Sequence, residues 1–359
     1  MKSMTELLKR FDSNLPLASA LTIPAEWYFH SGISELERRS LFSGWQAVGS
    51  IDQLRDTGNY ITAEIAGEPV AVIRGDDGTL RAFSNVCRHR AAILLSEDAG
   101  QVAKIRCRYH GWTYDLAGNL RGAPEFDGVC DFDRDANGLP PWSVATWGPT
   151  LWVHANPNAT PLPELIAQMQ AKGSLDNLHW AARRVYELDC NWKVYVDNYL
   201  DGGYHINTVH PNLAGVLDYS KYRIELFPNA CLQSSPLVPA DGIGSVRAGD
   251  MAQYWWVFPN FMLNLYEGVM DTNVVYPLGP DRCRVVFDFY FAGQSDDFIR
   301  DSLDVAERVQ HEDMQICAEV QRGLRSRSFD TGRYSVKREA GVHLFHRLLA
   351  DQLRTAARH

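Results

Sequence analysis

The sequence is poor in cysteine, has no long apolar run and carries no surplus of basic residues, and each shortage removes a class of function. Its seven cysteines in 359 residues, at 87, 107, 130, 190, 231, 283 and 317, are scattered and odd in number, which argues against a full disulfide framework. Five of them read as plain buried small hydrophobes. No stretch approaches the roughly 18 uncharged apolar residues of a bilayer span. The start, Met1-Lys2-Ser3-Met4-Thr5-Glu6, leads into a charged amphipathic run instead of an apolar signal core, and the chain is expected to be cytoplasmic with no membrane partner. A net charge of -9 argues against a nucleic-acid partner. A dinucleotide fingerprint is missing too, since Gly242-Ile-Gly244-Ser-Val-Arg247 lacks the third glycine and a suitable preceding strand.

What remains is ordinary globular material, 45% hydrophobic and 22% charged, so neither disorder nor a membrane bias explains the shortages. The length predicts two packed units. Residues 45–156 read as short β-segments. Pro69–Ile73 and Leu80–Phe83 flank the hairpin signal Gly75-Asp76-Asp77-Gly78, and a second turn falls at Ala117-Gly118-Asn119. The Pro- and Asn-rich stretch from Asn156 to Pro163 marks a boundary. We therefore expect an N-terminal helical segment at 1–44, a β-rich domain at 45–156 and a larger domain at 157–359. In the last, residues 181–190, 253–266, 272–278 and 283–291 read as strands, with helices near Trp192–His210 and Asp297–Leu324. The class is α+β, with an antiparallel sheet and a long C-terminal helix.

The motif with the most chemistry lies in the β-rich part. Cys87-Arg88-His89 is followed by seventeen residues and then by Cys107-Arg108-Tyr109-His110, so thiolates and imidazoles alternate. That order is the signature of a Rieske [2Fe-2S] centre, in which two histidines replace two cysteines on one iron and lift the reduction potential. A structural zinc site is the other reading, but zinc usually takes a Cys pair and then a His pair. Gly111-Trp112 follows the last ligand and offers a close backbone approach with an apolar lid.

A second cluster is spread over two helices. Asn198, Asp201 and His205 recur at steps of three and four and form a polar stripe among Trp192, Tyr195 and Tyr199. His210 lies five residues past His205, about 140° further round an ideal helix, so the helix must end for both to face one point. Gly202-Gly203 and Pro211 supply the break. In the late helix Ile299, Leu303, Ala306, Val309, Ile316, Val320 and Leu324 trace an apolar face, and Asp313 falls within it while Glu312 points to a more polar flank. A carboxylate there demands a metal or an arginine. Two histidines and one carboxylate make a facial triad for Fe(II) with positions open to O₂ and substrate.

With both clusters in place, the chain resembles the oxygenase (alpha) component of Rieske non-haem iron oxygenases, and is most similar to their choline monooxygenase-like branch. The similar stretches are Cys87-Arg-His-Arg-Ala-Ala-Ile-Leu94, Asp197-Asn-Tyr-Leu-Asp-Gly-Gly-Tyr-His205, Phe258-Pro-Asn-Phe261, Met270-Asp-Thr-Asn273, Glu312-Asp313 through Leu324, Gly332-Arg-Tyr334 and His343 to Leu349. The resemblance implies a helix-grip (START-like) catalytic domain. It implies that Cys87, His89, Cys107 and His110 bind the cluster and that His205, His210 and Asp313 bind the iron. It also implies a homotrimer or stacked trimers, in which an acid bridges the cluster of one subunit to the iron of its neighbour. Ring-hydroxylating relatives carry that acid three residues before the first iron histidine, where this chain has Gly202. Asp201 is the candidate in its place and Asp197 the second choice; Asp201 could instead only cap the helix.

The branch implies a small alkylammonium substrate, choline- or betaine-like, hydroxylated or N-dealkylated. Aromatic faces recognise such cations, and Tyr254, Trp255, Trp256, Phe258, Phe261 and Tyr266 supply rings, of which half can face a pocket. Oxidation of an aromatic substrate, or electron transfer without catalysis, are the rival readings. Electrons must come from a separate reductase or ferredoxin, so NAD(P)H is used only indirectly. Arg88, Arg90, Arg106 and Arg108 either dock an acidic carrier or pair internally.

Overall fold

The structure is a computed structural model and describes residues 4–162, 177–210, 216–238 and 249–358, with residues 166, 169, 175 and 247 between them. The Gly242–Gly244 stretch weighed above lies outside the described residues. The chain divides into two compact units, Phe42–Leu162 and a second made of Met1–Leu41 with Pro163–His359. The N-terminal segment is thus part of the second unit. Among the described residues no helix is long and apolar enough to cross a membrane.

The Phe42–Leu162 unit is built on a seven-stranded antiparallel sheet of β1 (Gln46–Ser50), β2 (Asn59–Ile65), β3 (Glu68–Arg74), β4 (Leu80–Ser84), β5 (Ala99–Gln101), β9 (Pro141–Trp147) and β10 (Thr150–His154). Its order is β1-β10-β9-β4-β3-β2-β5. The expected hairpin at Gly75–Gly78 joins β3 to β4. A small sheet of β6 (Ile105–Arg106), β7 (Thr113–Tyr114) and β8 (Leu120–Gly122) carries the second Cys-His segment, and its β7–β8 turn falls at the expected Ala117–Asn119. Cys87 and Cys107 are buried in one apolar cluster with Leu94, Leu95, Ile105, Trp112 and Tyr114. One expectation fails here. Cys130 is exposed, because it sits in the loop after β8 and packs into no sheet.

In the second unit, β11 (His179–Leu188), β12 (Arg223–Phe227), β13 (Ala230–Pro236), β14 (Met251–Val257), β15 (Phe261–Tyr266), β16 (Val269–Gly279) and β17 (Arg282–Phe291) form an antiparallel sheet of order β11-β17-β16-β15-β14-β13-β12. The helices are α1 (Met4–Leu8), α2 (Ser31–Ser40), α3 (Trp192–Leu200), α4 (Ile206–Val209), α5 (Asp296–Leu324) and α6 (Ala340–Ala356). Helix α5 starts on Ser295, whose hydroxyl accepts from the Phe298 N–H, with Asp296 and Asp297 complementing the helix dipole. Buried Lys193 of α3 is paired at 2.7 Å with buried Glu37 of α2, which ties the N-terminal helix to this unit. Removing either partner would strand a buried charge, at roughly 3–5 kcal/mol.

Three helical expectations are corrected. The single helix expected over Trp192–His210 is two, α3 and α4, because Gly202 and Gly203 both take positive φ, +70° and +69°. The apolar face of α5 is rotated: Val320 is 44% exposed, while Gln310, Cys317 and Gln321 are buried. Helix α6 went unread, since Gly341, His343 and His346 interrupt an apolar face that nevertheless buries Val342, Phe345, Leu349 and Leu353.

Candidate metal centres and active site

Two near-identical loops present the Rieske-type residues. In the first, the Cys87 N–H donates to the Ala92 carbonyl and the Ala91 N–H returns to the Cys87 carbonyl; in the second, Cys107 N–H donates to Trp112 and Gly111 N–H returns to Cys107. The returning residue has positive φ in both, Ala91 at 55° and Gly111 at 75°. The loops therefore share one conformation, and each brings a buried thiol and a histidine to its tip. The His89 and His110 rings lie 4.6 Å apart, and His89 stacks on Trp112 at 5.0 Å and 5°. Trp112 is buried and covers one face of the His89 ring. The Tyr114 hydroxyl lies 3.6 Å from the Cys87 sulfur and accepts from the Arg88 N–H.

The fit to a cluster can be tested on His89 Nδ1, which is buried and has no hydrogen-bond partner among the described residues. A buried ring nitrogen without a partner is costly unless it donates its lone pair to a metal. Desolvation, then the neighbouring His110 and Arg90, lower the His89 pKa and favour the neutral ring that a metal needs. Around the loops, Arg88, Arg90, Arg106 and Arg108 are exposed, and no ion pair holds any of them among the described residues.

The second cluster assembles where α3 breaks. Asp201 closes α3, Gly202 and Gly203 turn the chain, and His205 and His210 flank α4. Gly202 cannot be replaced by the acid found there in ring-hydroxylating relatives, because a Cβ would come 2.1 Å from the Arg338 carbonyl oxygen. The acid in this chain, Asp201, stands one residue earlier. Its carboxylate accepts from His205 Nδ1 at 2.7 Å, and from the backbone N–H groups of Tyr204 and His205 at 3.0 Å each, so it caps the turn and orients the ring together. Asp197 is engaged elsewhere, accepting from the Tyr28 hydroxyl and His346.

From α5, Asp313 Oδ1 lies 3.2 Å from His210 Nε2 and 3.7 Å from His205 Nε2, and the two Nε2 atoms are 3.1 Å apart. Among the described residues these three form a group able to hold a metal ion. Asn198 donates to Asp313 Oδ1 at 2.7 Å, and no arginine is paired with it among the described residues. Glu312 was missed: it accepts from His210 Nδ1 at 2.6 Å, and the break in α3 that turns His210 toward α5 was not convertible into a contact from spacing alone.

An ionised carboxylate only accepts, so both Nδ1 atoms carry the proton and both Nε2 atoms present lone pairs. With both rings neutral, three electron-rich donors converge on one point, a set that a cation can hold. Metal bonds near 2.1 Å in octahedral geometry would set neighbouring donors about 3 Å apart, close to the spacings found. Burial lowers the His210 pKa but Asp313 and Glu312 outweigh it, and the net shift is upward.

A cavity of about 160 Å³ opens beside this group. The sheet supplies its floor through a row in register across β13 to β17, Gln233, Tyr254, Asn264, Asp271 and Phe289. Of the six aromatic residues proposed for a pocket, only Tyr254 and Tyr266 line it; strand alternation turns Trp255 away, Trp256 and Phe261 pack in the core, and Phe258 lies half-buried outside the cavity. Burial pushes Asp271 up to about 6, against the pull of Asn273, Asn264 and Arg247.

Comparison with known proteins bears on all of this. The family described as ring hydroxylating alpha subunit (catalytic domain) matches residues 175–355, and the Rieske [2Fe-2S] domain matches residues 44–133. The chloroplastic choline monooxygenase of Arabidopsis thaliana is 38% identical over 99% of this chain and 88% of its own. The carnitine monooxygenase oxygenase subunit of Escherichia coli (strain K12) is 31% identical over 92% and 94%. A crystal structure of a quaternary ammonium Rieske monooxygenase with L-carnitine superposes with a TM-score of 0.83 at 30% identity, covering 94% of this chain and 99% of that one.

Proposed function

The chain belongs to the family of Rieske non-haem iron oxygenases, and from that premise we propose that it oxidises a small alkylammonium compound, choline- or betaine-like, with O₂. The observation that carries this reading is the cavity itself, where a buried carboxylate, Asp271, stands among tyrosine and phenylalanine rings beside the His-His-Asp group. A cation gains from both features, whereas an aromatic hydrocarbon would leave Asp271 desolvated. The choline and carnitine monooxygenases among its relatives support the same reading.

In this proposal Cys87, His89, Cys107 and His110 hold the [2Fe-2S] cluster, and His205, His210 and Asp313 hold Fe(II). When bound, these groups supply single electrons and an open position for O₂. The balance is one C–H bond, one O₂, two electrons and two protons giving one C–OH and one water; a hydroxylated N-methyl group then leaves as formaldehyde. Asp201 and Glu312 orient the two imidazoles, and Asn198 holds Asp313. Asp201 further serves as the acid toward a neighbouring subunit's cluster in a trimer. A separate reductase or ferredoxin brings the electrons, and the exposed arginines around the cluster loops, which have no ion pair among the described residues, favour an acidic one. We propose a cytoplasmic location, to be checked by cell fractionation.

The test is oxygen uptake with a surrogate reductase, comparing quaternary amines with aromatic acids. Coupled uptake with an amine is expected. Stimulation by aromatic acids alone would overturn the proposal.

A further inference from the structure

The cavity holds two opposite charges, Asp271 and Arg247, close enough to influence each other but not joined in an ion pair among the described residues. The amides of Asn264 and Asn273 both donate to Asp271 Oδ1, at 2.8 and 2.7 Å, and no donor among the described residues reaches Oδ2. Arg247 also lines the cavity. Its Nε donates to the Tyr266 hydroxyl at 3.1 Å and its guanidinium lies 5.6 Å from the centre of that ring, yet Nη1 is shut off from solvent with no acceptor among the described residues. No ion pair joins Arg247 to Asp271 among the described residues.

An orphaned guanidinium N–H is costly in a protein interior, and Asp271 lines the same cavity with Oδ2 unbonded among the described residues, so one ligand can satisfy both groups. We infer that the substrate is a zwitterion, an N-methylated ammonio-carboxylate, whose carboxylate docks on Arg247 and whose ammonium lies against Asp271 and the neighbouring rings. This inference rests on the alkylammonium reading above and narrows it. The guanidinium fork matches a carboxylate in plane and spacing, so Arg247 selects for the anionic end. An amino alcohol such as choline satisfies Asp271 and the rings but leaves Arg247 unpaired. Rejection of a ligand that lacks a needed polar partner is the stronger form of discrimination available to a buried site.

Binding distinguishes these cases without turnover. Anaerobic calorimetry on the holoenzyme would compare N,N,N-trimethylglycine, 4-(trimethylammonio)butanoate and choline with the carbon isostere 3,3-dimethylbutanoate. At least one trimethylammonio-carboxylate should bind at least tenfold more tightly than both choline and the isostere. Arg247→Gln should weaken that carboxylate at least tenfold and leave choline affinity within about twofold, while Arg247→Lys should recover part of the loss. Choline binding as tightly as every carboxylate, or Arg247→Gln weakening both classes equally, would refute the inference and leave the alkylammonium reading standing. Binding of none of the ammonium compounds would refute that reading as well. The wild-type preference is informative even where a variant fails to fold.

Discussion

Replacing Asp271 by Asn separates what this carboxylate does for a ligand from what it does to the fold. Burial holds it at about 6, against an ordinary value of 3.8. That gap of about 2 pH units corresponds to about 3 kcal/mol, at roughly 1.4 kcal/mol per unit. The sign follows from linkage: the folded protein keeps this proton until about pH 6, whereas the unfolded chain has begun to release it near pH 4. Wild-type stability therefore falls as pH rises between those values and stays lowered above them. Integration gives a penalty of about 1.6 kcal/mol at pH 5 and about 3 kcal/mol at pH 8. An asparagine can still accept from Asn264 and Asn273 but does not ionise. Asp271→Asn should thus gain on the wild type by about 1.4 kcal/mol between pH 5 and pH 8. Urea unfolding followed by circular dichroism, with both proteins measured at each pH, reads this difference. The same substitution should weaken alkylammonium binding at least tenfold, the trade of stability against function expected where a charge is kept for a ligand. A stability difference that is flat with pH, or that moves against the variant as pH rises, would refute the reasoning.

Other perturbations probe the two centres. Asp201→Asn should slow electron transfer into the iron site in single-turnover experiments while iron content and the cluster spectrum stay unchanged; normal rates would show that Asp201 only caps the turn. Glu312→Gln keeps the size of the side chain but weakens its hold on His210 Nδ1, and should lower Fe(II) retention by about 10- to 100-fold in chelator competition, with the cluster intact. Gly202→Ala combines a positive φ with a Cβ only 2.1 Å from the Arg338 carbonyl oxygen, so it should lower stability by at least about 2 kcal/mol, read as a drop in thermal midpoint. A normal midpoint would mean that the 201–205 turn can relax.

The candidate ligands stood out in the sequence because their pattern is local. Cys87-x-His89 and Cys107-x-x-His110 each occupy one loop, and His205, His210 and Asp313 stand out as polar positions on otherwise apolar or aromatic helices. The flanking signals were legible for the same reason: Gly202-Gly203 announced the break that brings His210 round. What stayed hidden depends on contacts between distant segments. Glu312 looked like a surface residue because helical period assigns it to a flank of α5, and only the turned ring of His210 makes that flank part of the site. The cavity floor was hidden more deeply. Alternation says that Tyr254 and Trp256 share a face, but not which face, and it cannot set Tyr254 opposite Asn264 or Asn264 opposite Asp271 without the registers of β14, β15 and β16. A shift of one residue would turn Asp271 to the other side of the sheet. Arg247 joins the site through its contact with Tyr266, at the end of that same face. The candidate metal residues therefore lie in local motifs, while the cavity floor proposed to select the substrate depends on strand register, which is why the two must be tested by different substitutions.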